Sequence, residues 1–269
     1  MRQLLAAATM IVTILIFANL SPIAAQTPSS GGLLDPATIE DFVAASRILA
    51  DQGVLDAFGH VSIRHPTIPN RYLLSRNLAP GLVAAEDIIE YDLDSNPVNA
   101  AGRPSFLERF IHGEIYKARS DVNAVVHSHS PAVIPFGISQ VPMRATFHMA
   151  GFLVAGVPVF EIRKAGGMTN MLIGNGALGK ALAETLADKP VALMRGHGNV
   201  VVGPTVQVAV FRAIYTEINA RLQTTAMSMS GQLTFLEREE GEKADQTIQQ
   251  QTVIARPWTL WKQRVMGSK

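Results

Sequence analysis

The chain has 269 residues, of which 48% are hydrophobic, and its 23 basic and 22 acidic side chains leave a formal net charge of +1. A chain of this size can bury the core of one well-packed domain or of two small ones. No basic run interleaved with aromatic residues occurs, which argues against nucleic acid as a partner. The sequence has no cysteine, so disulfides and thiolate ligands are excluded, and histidine, aspartate or glutamate must hold any metal ion.

The amino-terminal segment differs in composition from the rest. Arg2 is followed by an apolar stretch from Leu4 to about Leu20 and then by small residues. A short positive region, an apolar region and small residues near a cleavage point are typical of a secretory signal peptide. We therefore predict a signal peptide at 1–25, a flexible linker at 26–34 and an exported, periplasmic protein. An uncleaved membrane anchor is the alternative.

Hydrophobic periodicity and turn residues predict alternating helices and short strands after the linker. The first helix begins at the N-cap Asp35, continues through Pro36 and ends near Gly53. Strands are predicted at 58–64, 71–75, 88–92, 122–129, 144–154, 157–162, 191–194 and 200–202. Further helices are predicted at 105–118, 131–138, 176–187 and 205–229. The class is α/β or α+β, with helices that cover a mixed or antiparallel sheet.

Three histidines form a candidate metal site. His127 and His129 end an apolar run, and successive side chains of a strand alternate faces, so both leave the same face and can converge on one point. His197 lies between two glycines just after a buried strand, where the backbone can turn sharply. Three imidazoles match a catalytic site that keeps one position open, with zinc, manganese, iron or cobalt as the ion. Polar residues that merely close a buried strand are the alternative for the first pair.

Glu108 is the acidic residue of greatest interest. It ends the segment Ser105-Phe106-Leu107-Glu108, a capping box in which the serine caps the helix and the glutamate reaches back to the N-cap amide. That structural role alone could explain Glu108. His112, one turn later, could be its partner on the helix surface, and His148 lies in an apolar setting that is typical of a core histidine. The run 174–179 formally matches a dinucleotide fingerprint, but it lacks an acidic residue about 20 positions on and is interpreted as a helix start.

Taken together, these segments resemble the class II aldolase/adducin family, which has the fold of L-fuculose-phosphate aldolase and L-ribulose-phosphate epimerase. The resemblance covers roughly residues 35 to 229. It depends on the ordered series of Phe58-Gly59-His60-Val61-Ser62-Ile63-Arg64, Glu108, the segment 121–129, and Leu193-Met194-Arg195-Gly196-His197-Gly198.

The resemblance implies an α/β fold with three α/β/α layers, in which helices flank a central, mainly antiparallel sheet. The corresponding domain would span 35–230, followed by a carboxy-terminal extension at 231–269. The family's homotetramer would place active sites between subunits, and it would give Trp258 and Trp261 a surface to bury against.

The resemblance also assigns roles to the candidate residues. His127, His129 and His197 would hold a divalent ion, with zinc preferred and manganese or iron as alternatives. Glu108 would be the catalytic acid/base, and we predict His148 as a second proton donor.

The sequence departs from the sugar-phosphate enzymes where those bind phosphate. It has His60 in place of an asparagine, Leu74-Ser75-Arg76-Asn77 in place of a Thr-x-Ser-Gly segment, and Phe106-Leu107 in place of a serine pair. A carboxylate is therefore expected rather than a sugar phosphate, with His60, Arg76 and Arg195 as substrate-binding residues, because a guanidinium group binds a carboxylate bidentately. Internal ion pairs are the alternative role of both arginines.

These observations predict a divalent-metal-dependent carbon–carbon lyase that acts by aldol cleavage or decarboxylation on a small hydroxy or oxo substrate. The segment around 58–94 is more similar to the decarboxylase-type branch of the family than to its aldolases. Two alternatives remain open. A non-catalytic, adducin-like binding domain would be marked by loss of the histidines, which this chain retains. An iron-dependent oxygenase would use the same three histidines.

Overall fold

The computed structural model describes Gly32 and residues 34–267. The predicted signal peptide and most of the predicted linker lie outside the described residues. Within the described part of the chain, no helix is long and apolar enough to cross a membrane.

The structure has eight α-helices and seven strands in its described part. The helices are α1 (Pro36–Asp51), α2 (Phe110–Ala118), α3 (Ile134–Ile138), α4 (Ile162–Gly166), α5 (Gly176–Leu186), α6 (Val206–Ser228), α7 (Arg238–Ile248) and α8 (Gln251–Met266). The strands are β1 (His60–Arg64), β2 (Arg71–Ser75), β3 (Ile88–Asp92), β4 (Ala124–Ser128), β5 (Val159–Phe160), β6 (Val191–Met194) and β7 (Gly198–Gly203).

The strands form one sheet in the order β3-β2-β1-β4-β7-β6-β5. Every neighbouring pair is antiparallel except β5 and β6, which are parallel. The register sets His60 opposite His127 across β1 and β4, and His127 opposite Val200 across β4 and β7. The predicted mainly antiparallel sheet is confirmed.

Helices cover both faces of the sheet, because each strand alternates side chains between two apolar cores. Val61 and Val126 face the core under α1, α6 and α8. Leu74 and Val125 face the opposite core, under α2 and α5. The predicted three-layer α/β/α arrangement is therefore confirmed.

The first helix forms as its caps and apolar stripe predict. Asp35 accepts a hydrogen bond from the Thr38 backbone N–H, and Pro36 occupies the first helical position, where it has no N–H left unsatisfied. Phe42 and Leu49 are fully buried on the face that packs against the sheet. The run 174–179 is a helix start as interpreted, since Asn175 caps α5 through the Leu178 N–H.

The carboxy-terminal segment packs onto its own chain. Trp258 and Trp261 lie on α8, and each keeps only 8% of its surface exposed. Both belong to the core that α1 and α6 also line. The expectation that another subunit buries these rings is wrong, because a helix of the same chain already buries them.

Two predicted elements differ from the structure. The segment 144–154 is not a strand: His148–Ala155 forms a 3₁₀ helix that packs on α7. A Cβ atom at Gly151 would lie 2.5 Å from the carbonyl oxygen of Gly241, so the missing side chain permits this close approach. An apolar run gives no periodicity with which to separate strand from buried helix.

The predicted capping box is also wrong. The helix α2 begins only at Phe110, after a 3₁₀ turn at Leu107–Arg109. The Ser105 hydroxyl accepts a hydrogen bond from the Tyr91 hydroxyl at 2.7 Å instead of capping the helix. Without a capping box, the Glu108 carboxylate does not bond to the N-cap amide, and it accepts a hydrogen bond from the Ile173 backbone N–H instead.

Candidate metal centre and active site

The three predicted histidines meet at one end of the central strands. His127 is near the end of β4, His129 follows that strand directly, and His197 lies in the tight turn from β6 to β7. Gly198 lets this turn approach β4, since a Cβ atom there would lie 2.0 Å from the Ser128 carbonyl oxygen. The sequence thus brings the third histidine to the first two through a backbone contact that only glycine permits.

Glu108 joins the three histidines. One ligand atom from each of Glu108, His127, His129 and His197 lies within 4.8 Å of the others; we call these four residues the histidine cluster. The Oε2 atom of Glu108 lies 3.5 Å from the Nε2 atoms of both His127 and His197. The Nε2 atoms of His129 and His197 are 3.1 Å apart.

Backbone carbonyls orient two of the imidazole rings. The Nδ1–H of His127 donates to the Asn199 carbonyl at 3.1 Å, and the Nδ1–H of His197 donates to the Met171 carbonyl at 3.0 Å. Each ring then presents the lone pair of Nε2 to the centre, as metal-ligating histidines commonly do.

The donor set fits a divalent cation. The Nε2 atom of His127 is buried and has no hydrogen-bond partner in the described structure. A buried nitrogen without a partner costs free energy. A cation held among the three histidines would satisfy all three nitrogens, with open positions left for substrate.

Glu108 is held as a carboxylate within the histidine cluster. Its Oε1 atom accepts a hydrogen bond from the Ile173 backbone N–H at 2.8 Å. Burial by itself raises the pKa of Glu108, but interactions with His127 and His197 outweigh burial and hold that pKa well below its ordinary range. The group is therefore ionised.

A buried hydrogen-bond network extends from the cluster into the α2 layer. His60 Nδ1 lies 2.7 Å from His112 Nε2, His112 Nδ1 lies 2.6 Å from the Ser62 hydroxyl, and that hydroxyl lies 2.8 Å from the Tyr116 hydroxyl. We call these four residues the His60 network. The prediction that His112 is a surface partner of Glu108 is wrong, because His112 is fully buried beneath the sheet. Burial lowers the pKa of His112 to about 3.

Sequence reasoning missed Ser62, His112 and Tyr116 as residues connected to the site. A signal for them exists: His60 and Ser62 share a strand face, and His112 and Tyr116 share a helix face. Only the packing of α2 on β1 shows that the two faces meet.

The two predicted substrate-binding arginines both form ion pairs. Arg195 Nε lies 2.6 Å from a Glu161 carboxylate oxygen, and Arg76 pairs with Asp87. Arg76 directly follows β2, and the paired register of β1 and β2 ends with Ser62 opposite Leu74.

His148 is not a member of the cluster. It is exposed at the start of the 3₁₀ helix, with its ring centroid 6.0 Å from that of Phe147. Its interpretation as a core histidine is wrong, because the apolar run around it turns its side chain outward. Its predicted role as a proton donor stays a prediction.

Apolar side chains border the cluster. The Phe58 ring is 65% exposed, and its centroid lies 6.3 Å from that of His129. The Phe106 ring lies 4.5 Å from that of His60, and Leu107, next to Glu108, is 50% exposed. Apolar surface of this kind beside polar groups is characteristic of a ligand site or an interface.

Comparison with known proteins gives consistent results. The family model described as Class II Aldolase and Adducin N-terminal domain matches residues 40–224. Decarboxylase tropJ of Talaromyces stipitatus is 38% identical over 84% of this chain and 93% of its own length. The 3,4-dihydroxyphthalate decarboxylase of Arthrobacter keyseri is 32% identical over 73% of this chain and 82% of its own.

Solved structures show the same fold. An aldolase II superfamily protein from Pseudomonas syringae superposes with a TM-score of 0.71 at 20% identity, covering 86% of this chain and 94% of its own. The L-fuculose 1-phosphate aldolase from Glaciozyma antarctica gives a TM-score of 0.68 at 24% identity, covering 84% of this chain and 87% of its own.

Proposed function

We propose a reaction and a substrate class from one premise: this chain belongs to the class II aldolase and adducin family and is a lyase. The substrate is a small carboxylate-bearing molecule. The proposed reaction is metal-dependent decarboxylation of a hydroxy-substituted aromatic carboxylic acid. Two relatives that are decarboxylases, one of them named for a dihydroxyphthalate, support this choice.

The observation that carries the proposal is the aromatic surface beside the histidine cluster. Phe106 and Phe58 lie against His60 and His129, where a flat ring could stack. Arg76, which directly follows β2, carries a guanidinium group that could pair with a carboxylate. The aldolases' serine pair is absent here, which disfavours a sugar phosphate.

The proposed chemistry divides between the ion and Glu108. A divalent ion on His127, His129 and His197 would supply Lewis acidity, which stabilises negative charge on substrate oxygens while the carbon–carbon bond breaks. Glu108, ionised in the structure, accepts the proton of the substrate hydroxyl group. The phenolate pushes electron density into the ring, and the ring carbon that bears the carboxylate takes the proton from Glu108. The bond to the carboxylate then breaks, its electron pair flows through the ring to the oxygen, and CO₂ and a phenolate product are formed with the charge balanced.

The identity of the metal, the assembly and the location belong to the same proposal. Zinc is proposed because three imidazoles without thiolates match its catalytic sites. A homotetramer with sites between subunits is proposed because Phe58 and Leu107 leave exposed apolar surface at the site. His148 would then act as second proton donor at a neighbouring subunit's site. Export to the periplasm is proposed from the segment 1–25.

One experiment tests the reaction. The purified full-length protein, loaded in turn with zinc, manganese and iron, is incubated with dihydroxybenzoates and dihydroxyphthalates and with L-fuculose 1-phosphate. We expect CO₂ and the matching catechol in equal amounts from at least one aromatic acid, and no aldehyde from the sugar phosphate. Sugar-phosphate cleavage without CO₂ release would show that the chain is an aldolase. Consumption of O₂ that requires iron would identify the oxygenase instead.

A further inference from the structure

The His60 network raises a question that the metal site does not answer. His60 lies next to His127 across β1 and β4, with ring centroids 5.2 Å apart. It is nevertheless outside the group of four residues that could hold an ion. A fourth imidazole lone pair beside the ion would occupy a position that substrate needs. Something in the structure must therefore decide which nitrogen of His60 carries the proton.

Burial keeps His112 and Tyr116 neutral. It lowers the pKa of His112 to about 3 and raises the pKa of Tyr116. A neutral imidazole has one N–H donor and one acceptor nitrogen. The four groups must then donate in a single direction, either from Tyr116 toward His60 or from His60 toward Tyr116.

Tyr116 sets that direction. Ser62 is the recorded side-chain partner of its hydroxyl among the described residues. Tyr116 is fully buried in the network, and if its hydroxyl accepted from Ser62 its own hydrogen would have no acceptor among the described residues. The Tyr116 hydrogen therefore goes to the Ser62 oxygen. Ser62 must in turn donate to His112 Nδ1, which places the His112 proton on Nε2, from which it is donated to His60 Nδ1.

We propose that Tyr116, Ser62 and His112 hold His60 in the tautomer with its proton on Nε2, so that His60 is a neutral hydrogen-bond donor to the substrate carboxylate and not a metal ligand. The inference deepens the proposed function and rests on it for the identity of the substrate. Tyr116, Ser62 and His112 are positioning residues, because they act through His60.

The surroundings of His60 agree with a donor that faces substrate. His60 keeps 5% of its surface exposed. In the described part of the chain, its Nε2 atom has no hydrogen-bond partner and is not fully buried. This nitrogen therefore reaches solvent beside the cluster. Phe106 covers one side of the ring, which shields a hydrogen bond formed there from competing water.

The first test reads the tautomer directly. Histidine labelled with ¹⁵N is incorporated into the full-length protein, and the ring nitrogens of His60 are identified by their loss in His60→Gln. We expect a protonated Nε2 and an unprotonated Nδ1, with and without zinc. A proton on Nδ1 in the wild-type protein would overturn the inference and leave the decarboxylase proposal intact.

The second test separates positioning from folding. Ser62→Ala removes the hydroxyl that accepts from Tyr116 and donates to His112. Nothing then fixes the proton of His112 on Nε2, so His60 should populate both tautomers. In the zinc-loaded protein, its affinity for 2-hydroxybenzoate should fall about tenfold, the equivalent of one hydrogen bond to a charged group. Its affinity for catechol, which has no carboxylate, should change less than about twofold.

The matched control is Tyr72→Phe. It removes a buried hydroxyl from the same ring cluster, whose partners are Ser95 and the Arg109 carbonyl, and it should change neither the tautomer nor either affinity. Equal losses for both ligands in Ser62→Ala would show a structural role and overturn the inference. If the wild-type tautomer is as stated but no hydroxyaryl acid binds or reacts, the proposed function fails while the tautomer assignment stands.

Discussion

The Nε2 atoms of His129 and His197 lie 3.1 Å apart, although 68 residues separate them in sequence. His197 donates its Nδ1–H to the Met171 carbonyl, so its Nε2 presents a lone pair. Either a metal ion lies between the two nitrogens or the Nε2 of His129 carries a proton and donates it to the Nε2 of His197. The affinity of the cluster for metal and its protonation are therefore coupled.

Replacement of His197 tests this coupling. We expect His197→Ala to lower the bound metal well below one ion per chain, because it removes one of the three imidazoles that hold the ion. Zinc at 100 times its Kd should stabilise the wild-type protein by about 2.7 kcal/mol and leave the variant's melting temperature unchanged. Elemental analysis and thermal melts measure both, with His148→Ala as the control that keeps its metal. Full metal content in His197→Ala would refute the site.

Glu108 should matter for turnover more than for metal binding. Glu108→Gln preserves the size of the side chain and an acceptor for the Ile173 N–H, but it removes the group that accepts a proton. We expect kcat to fall by a factor of about 10² to 10⁴ while the metal content stays the same. Glu114→Gln, on α2 but paired with Lys117, is the matched control. Normal turnover in Glu108→Gln would mean that the carboxylate has only a structural role.

Arg76 should contribute to binding of the carboxylate. Arg76→Lys keeps a positive charge for Asp87 but loses the planar fork that binds a carboxylate bidentately. We expect KM to rise about tenfold, which corresponds to 1.4 kcal/mol, with kcat unchanged. Arg163→Lys, whose exposed side chain pairs with Glu161, should leave both constants unchanged. Steady-state kinetics with the aromatic acid that the protein decarboxylates measure both constants. An unchanged KM would mean that Arg76 only pairs with Asp87 and does not bind substrate.

Acid should destabilise the protein partly through His112. Burial lowers its folded pKa to about 3 from the ordinary 6.5, so between these values the unfolded chain binds a proton that the native protein does not. The free energy of unfolding must therefore fall as the pH drops from 6.5 toward 3. The contribution of His112 to this fall over the whole range is about 5 kcal/mol. Urea unfolding across this range should show a shallower pH dependence for His112→Gln than for the wild type. Parallel curves would show that His112 titrates normally in the native state.

The carboxy-terminal helix should stabilise the domain. Trp261 is buried against the core, and we expect Trp261→Ala to lower the free energy of unfolding by about 3 kcal/mol. The neighbouring Leu260 is 59% exposed, so Leu260→Ala should change this free energy by less than about 0.5 kcal/mol. Chemical denaturation compares the two variants. Equal, small effects would mean that α8 packs only loosely on α1 and α6.

Several elements were predictable because their signals are local. The bounds of β2, β3 and β6 follow from short apolar runs between turn residues, and the start of α1 follows from its cap. The histidines of the cluster could be chosen because strand alternation places His127 and His129 on one face. The resemblance to a known family added Glu108, which a capping box would otherwise have explained.

The amino-acid sequence by itself determined the bounds of several elements and the choice of His127, His129 and His197, since these depend on periodicity and on short motifs. Only the tertiary structure decided that Ser105 bonds to Tyr91, that α8 buries Trp258, and that His60, Ser62, His112 and Tyr116 form one network. The physical reason is that a buried polar group takes whichever partner the packed elements bring within hydrogen-bond distance. That distance depends on how α2 and β1 meet in space, and no local pattern in either segment contains it.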